Sequence, residues 1–197
     1  MISELTDDYA VIHCGLQYVD YHTGRNLNQR ISTGNINEIV RNNLGIIPQT
    51  STMIIKKDVL VEIGLFDESL PAHQESELGL RIAQKYKFKL IDKILVRVTR
   101  NHNQIRSDLS SYIKAKEIIL ENHSDILSDK TKYNYCIIIA GDSIVNNDFL
   151  KAKRYFKNAL KYKFKLKTIL SYIMINLSPG LTQMIYRGRY KSKGLIK

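Results

Sequence analysis

A chain of 197 residues that is 44% hydrophobic and 25% charged, with only three prolines, has the composition of a globular protein of one ordinary domain with an appendage, and argues against disordered or fibrous classes. Two cysteines, Cys14 and Cys136, far apart and each inside an apolar run, argue against a disulfide framework or a zinc site. The net charge of +11 is unevenly placed: residues 151–197 hold 13 Lys and Arg and no acid, which leaves 17 basic and 19 acidic residues, a net −2, in residues 1–150.

The opening MISELTDDYA carries acids where a secretory leader needs a basic and then an apolar region. With the unpaired cysteines, this predicts a cytoplasmic setting, peripheral at most on the inner face of the cell membrane. The next segment, YAVIHCGLQYVDYHTGR, is rich in Val, Ile and Tyr and reads as a strand that ends in a turn at His22-Thr23-Gly24. His13 and Cys14 lie within it. Adjacent strand residues point to opposite faces, so the pair reads as ordinary strand residues rather than metal ligands.

NINEIVRNNL, residues 35–44, predicts a short helix with Ile36, Ile39, Val40 and Leu44 on its buried side, followed by a breaker from Gly45 to Pro48. STMIIKK then reads as extended. Asp58 is placed to cap a short helix, VLVEI, that Gly64 ends as a left-handed residue. Asp67 and Glu68 fall in the following turn, and Pro71 keeps Leu70 extended.

A helix from about Gln74 puts Leu78, Ile82 and Tyr86 on one face. Its Glu77 and Arg81 stand four apart with the acid first, a spacing that by itself reads as a surface ion pair. Glu75 falls in the first turn, where backbone N–H groups and the helix dipole favour a carboxylate. A strand around Ile94 to Val98 and a polar loop with His102 complete this part. Beyond it, residues 109–127, 131–149 and 149–165 predict helices, the last two with the flavour of one tetratricopeptide-like hairpin.

Residues 45–105 carry a set of motifs in order: Pro48, the basic pair Lys56-Lys57 after a strand, Gly64 with Phe66-Asp67-Glu68, Gln74-Glu75, and Glu77-Leu78 with Leu80-Arg81. In this order they resemble the acceptor-side, C-terminal half of the catalytic domain of family 2 inverting glycosyltransferases. The resemblance covers roughly residues 1–105. It implies an α/β fold of the GT-A type, present as a partial domain, followed over residues 106–197 by a helical, strongly basic extension.

It also implies an activity: transfer of a sugar, with inversion, from a nucleotide-sugar donor to a hydroxyl of a glycan or lipid-linked acceptor, in a setting such as cell-envelope polysaccharide synthesis. By position Glu75 is the implied general base, with Asp67, Gln74, Glu77 and Arg81 lining or bracing the acceptor site. The family usually has Asp where this chain has Glu75, and Glu is one methylene longer. The nucleotide and its divalent metal, Mg or Mn, are held in the family by an Asp-x-Asp motif in a preceding half-domain. Asp7-Asp8 does not match that motif, so the metal and donor ligands are expected outside this chain, which reads as part of a longer enzyme. His102 stands in a loop where many relatives place a histidine near the metal.

The basic tail fits an anionic membrane surface first, since Ile169 to Leu177 supplies apolar residues flanked by lysines. Nucleic acid ranks below it, although Tyr155, Phe156, Tyr162, Phe164, Tyr186 and Tyr190 interleave with the cations. The competing expectation for the whole chain is a non-catalytic remnant or binding module that works through this tail.

Overall fold

The computed structural model describes residues 6, 9–30, 50–100 and 109–192. Asp7-Asp8, the helix expected over residues 35–44, Pro48 and His102 lie outside the described residues. The chain divides into two compact units, Met1–Asp108 and Leu109–Lys197. The first is mixed α/β and the second is all helix among the described residues.

The first unit is organised by β1, Tyr9–Asp20, whose residues Ala10 to Tyr18 are all buried. Strands buried on both faces read as near-continuous apolar runs, and Ala10, Val11, Ile12, Cys14 and Leu16 supply one here. β4, Lys87–Arg100, pairs with β1 in parallel along its whole length, from Tyr9↔Lys87 to Asp20↔Arg100. β2, Asn26–Arg30, pairs antiparallel with the C-terminal part of β1, and β3, Met53–Ile55, pairs antiparallel with Val11, Ile12 and His13. A strand has two edges, so β2 and β3 share the edge opposite β4, and β1 is the central strand.

Parallel β1 and β4 require a crossover, and residues 50–86 provide it. It runs through a 3₁₀ turn at Thr50–Thr52, β3, helix α1 at Lys57–Glu62 and helix α2 at Gln74–Lys85. α1 begins before the expected Asp58 cap: Lys56 is its N-cap and Asp58 lies in its first turn. It ends as the sequence predicts, with Gly64 at φ +89°. Gly64 N–H donates to Val61 O and Leu65 N–H to Leu60 O, the paired bonds of a Schellman motif. α2 buries Leu78, Leu80, Ile82 and Ala83, and Tyr86 beyond it is already extended.

The second unit contains α3, Leu109–Asn122; α4, Asp129–Val145; α5, Phe149–Tyr162; α6, Leu166–Leu177; and α7, Pro179–Ser192. α4 and α5 form the most extensive pair. Cys136, Ile139, Ala140 and Ile144 of α4 are buried, as are Ala152, Phe156 and Ala159 of α5. Both helices start on side-chain caps: Ser128 Oγ accepts from Thr131 N–H at 3.3 Å and Asp148 Oδ1 from Lys151 N–H at 3.0 Å. Lys151 also pairs with Glu117 of α3 at 2.7 Å, and Tyr133 of α4 meets Thr168 of α6 through their hydroxyls at 2.7 Å. The helices expected over 109–127 and 131–149 end earlier, at Asn122 and Val145, and Asn147 at φ +65° makes the turn between α4 and α5.

Candidate functional site

The motif residues from Gly64 to Arg81 lie in the first turns of α2 and the loop before it, while Lys56 and Lys57 stand at the start of α1. Glu77 and Arg81 are the centre of this arrangement, and they correct the expectation of a surface pair. Glu77 is 1% exposed. Arg81 Nε donates to Glu77 Oε1 at 2.5 Å and Nη2 donates to Oε2 at 2.8 Å, a bidentate fork. The same guanidinium donates to the carbonyl of Ile63 through Nη1 and to that of Leu65, 2.7 Å away, through Nη2. Arg81 therefore satisfies carbonyls left over at the end of α1 while neutralising a buried carboxylate. The pair ties the Gly64 turn to α2.

The loop has its own internal bonds. Asp67 Oδ1 accepts from Ser69 N–H at 2.9 Å and Ser69 Oγ–H at 2.6 Å, which closes a tight turn over residues 67–69. Gln74 Nε2 donates to Leu70 O at 2.8 Å, and Leu70 is buried. Leu65 and His73 hold positive φ values of 61° and 64°, so backbone strain brackets the loop at both ends. Asp67, Gln74, Glu77 and Arg81 thus all act on one feature, the shape of residues 63–74.

Glu75 stands apart from that framework. It lies in the first turn of α2, partly exposed, and Thr50 Oγ1 donates to its Oε1 at 2.7 Å. Its other oxygen has no protein partner among the described residues. One oxygen is held on a side chain that stays partly exposed, a disposition in which a carboxylate can take a proton from an incoming hydroxyl. Thr50 could not be found from the sequence, because the two residues are 25 apart and no periodicity links them.

His13 and Cys14 are both buried in β1, as ordinary strand residues would be. Burial holds the His13 imidazole neutral, pushing its pKa down to about 4, and its Nε2 has no hydrogen-bond partner among the described residues. Among the described residues no group of three or more His, Cys, Asp or Glu is disposed to hold a metal ion, so no residue here is assigned to one. No family model matches the chain, and neither a curated protein nor a solved structure does.

Proposed function

We propose that residues 1–105 are the acceptor side of a family 2-type inverting glycosyltransferase, with Glu75 as general base. The observation that supports the reading is the position of Glu75, anchored through Oε1 by Thr50 and partly exposed, at the head of a helix whose preceding loop is fixed by Arg81 and Gln74.

In this reading an acceptor hydroxyl approaches the carboxylate of Glu75. As the hydroxyl oxygen bonds to the anomeric carbon of the donor sugar, its proton passes to Glu75 and the bond from that carbon to the nucleotide diphosphate breaks, inverting the centre. The Thr50 hydroxyl limits rotation of the longer Glu side chain, which supports its use where the family has Asp. The nucleotide, and a divalent metal that would polarise its diphosphate, would be held by a donor-binding half outside this chain, and none of the described residues is assigned to either.

The test uses the polypeptide that carries both halves, assayed with a nucleotide-sugar and Mn²⁺. Glu75→Gln should lower sugar transfer by at least ~10²-fold while donor binding is retained. Thr50→Val, which frees the carboxylate, should lower the rate less and leave acceptor affinity nearly unchanged. Transfer unaffected by Glu75→Gln removes the carboxylate from the reaction and with it this reading.

A further inference from the structure

The second unit has an outer face that the carboxylate chemistry does not use. α6 carries apolar residues on two opposite sides. Thr168 and Ile175 are buried, whereas Leu166, Leu170, Ile173 and Leu177 are 69%, 54%, 46% and 81% exposed. The second set is spaced i, i+4, i+7 and i+11, which at 100° per residue confines it to an arc of about 60° centred opposite the buried pair.

α7 repeats the pattern. Its Thr182 is buried and Arg187 donates to Val145 O of α4 at 3.2 Å, while Leu181 and Met184 are 48% and 65% exposed on the other side, with Lys191 along one flank and Arg189 along the other. Between the two helices lies a groove of about 220 Å³ lined by Leu170, Met174, Ile185 and the hydrogen-bonded Ser171 and Tyr186, with Lys167 and Arg189 also on its walls. Leu170 belongs to both the stripe and the groove, so the apolar surface is continuous. Its cations have no acid beside them in sequence, since residues 151–197 contain 13 Lys and Arg and no Asp or Glu.

We propose that the α6–α7 hairpin lies in the headgroup region of an anionic lipid bilayer, with its exposed aliphatic stripe at the acyl boundary and Lys167, Arg189 and Lys191 on lipid phosphates. An apolar strip bordered by cations is the composition of an interfacial helix. Charge selects this occupant over a second copy of the chain, because apposing two such faces sets cations against cations.

The aromatic residues select it over nucleic acid. Single-strand binding needs exposed rings for bases to stack on. Here Tyr155 and Phe156 are buried at 4% and 0% exposure, Tyr162, Tyr186 and Tyr190 are partly buried, and Phe164 is the one widely exposed ring of the six, at 80%, which leaves no row of rings for successive bases to stack on. The stripe itself is aliphatic. No helix of the described residues is long and apolar enough to cross a membrane, so the contact lies along the surface.

Co-sedimentation of the full chain with phosphatidylcholine vesicles, with and without phosphatidylglycerol, tests the proposal. Binding should require phosphatidylglycerol and fall with added salt. The neutral double variant Leu170→Asn/Ile173→Asn should weaken it by at least ~10-fold with helical circular dichroism unchanged, because both side chains are exposed. The chain contains no tryptophan, so Leu177→Trp provides a single reporter whose emission should shift to the blue on phosphatidylglycerol vesicles.

Vesicle binding unmoved by the double variant, or an unshifted Leu177→Trp emission, would overturn insertion of the stripe. So would a dimer that this variant dissociates without any binding to vesicles. Salt-sensitive binding to single-stranded DNA in the absence of vesicle binding would assign the face to nucleic acid instead. Sugar transfer is not read in any of these measurements, so their outcome is separate from that of the Glu75 test.

Discussion

The two units use charge in opposite ways. Residues 1–108 contain 13 basic and 13 acidic residues, whereas residues 109–197 contain 17 basic and 6 acidic, so the whole net charge of +11 belongs to the second unit. In the first unit the decisive charges are internal: Arg81 and Glu77 neutralise each other and hold a loop. In the second, Lys151, Lys132 and Arg187 are engaged internally, by Glu117, Asp129 and the Val145 carbonyl, and the excess of cations over acids leaves others such as Lys163, Lys165 and Lys191 exposed where an external partner would meet them. Balanced charge serves shape in one unit, and unbalanced charge serves contact in the other.

The sharpest way to break this contrast is to remove one member of the internal pair. Arg81→Leu leaves the Glu77 carboxylate, 2% exposed at its side chain, without its counter-charge and frees the Ile63 and Leu65 carbonyls. Breaking a buried pair from one side costs ~3–5 kcal/mol, and denaturant unfolding followed by a probe in residues 9–100 should register a loss of that size. The double variant Arg81→Leu/Glu77→Leu should recover part of it, because no charge is then stranded. Equal losses for the single and double variants would mean that the carbonyl contacts, and not the ion pair, hold the turn.

A second expected effect concerns pH. An ordinary histidine titrates near 6.5, and burial lowers His13 to about 4. Below pH 6.5 the unfolded chain takes up a proton that the folded chain refuses until about pH 4. The contribution of this residue is therefore fully present above 6.5 and is lost as pH falls through that window, by ~3 kcal/mol at most. His13→Leu should flatten this part of the stability profile of the first unit between pH 7 and pH 4, measured by urea midpoints. A wild-type profile retained in the variant would place the acid sensitivity elsewhere.

Where the fold was legible in the sequence, local chemistry decides it. The Val-Ile run of β1, the Gly64 stop and the α2 periodicity need no distant partner. β2 is different: NLNQR has little strand propensity and gave no signal. It forms because Asp20 Oδ1 accepts from His22 N–H, Thr23 N–H and Thr23 Oγ–H, turning the chain back onto the edge of β1. The candidate site divides the same way. The spacing of Glu77 and Arg81 is visible at i, i+4, but its burial depends on carbonyls 16 and 18 residues away, and the Thr50–Glu75 contact spans 25. The apolar stripe of α6 was visible as composition, whereas which of its two apolar sides is covered depends on α5 and α7.

The smallest expected effects test how each unit fixes its turns. In the second unit helix starts rest on side-chain caps, and Ser128→Ala or Asp148→Ala should each cost ~1 kcal/mol in thermal unfolding. In the first unit the comparable turn rests on the backbone and Arg81, and it holds Leu65 at φ +61° against the steric preference of its Cβ. Leu65 is 51% exposed, so its side chain contributes little burial. Leu65→Gly keeps the N–H bond to Leu60 and the carbonyl bond from Arg81 while removing the clash, and should raise stability by ~1 kcal/mol. Opposite signs for Leu65→Gly and the cap deletions would separate a turn clamped by an ion pair from turns capped by side chains. A loss on Leu65→Gly equal to that of the caps would show that the leucine side chain, and not the Arg81 clamp, sets the loop that presents Glu75.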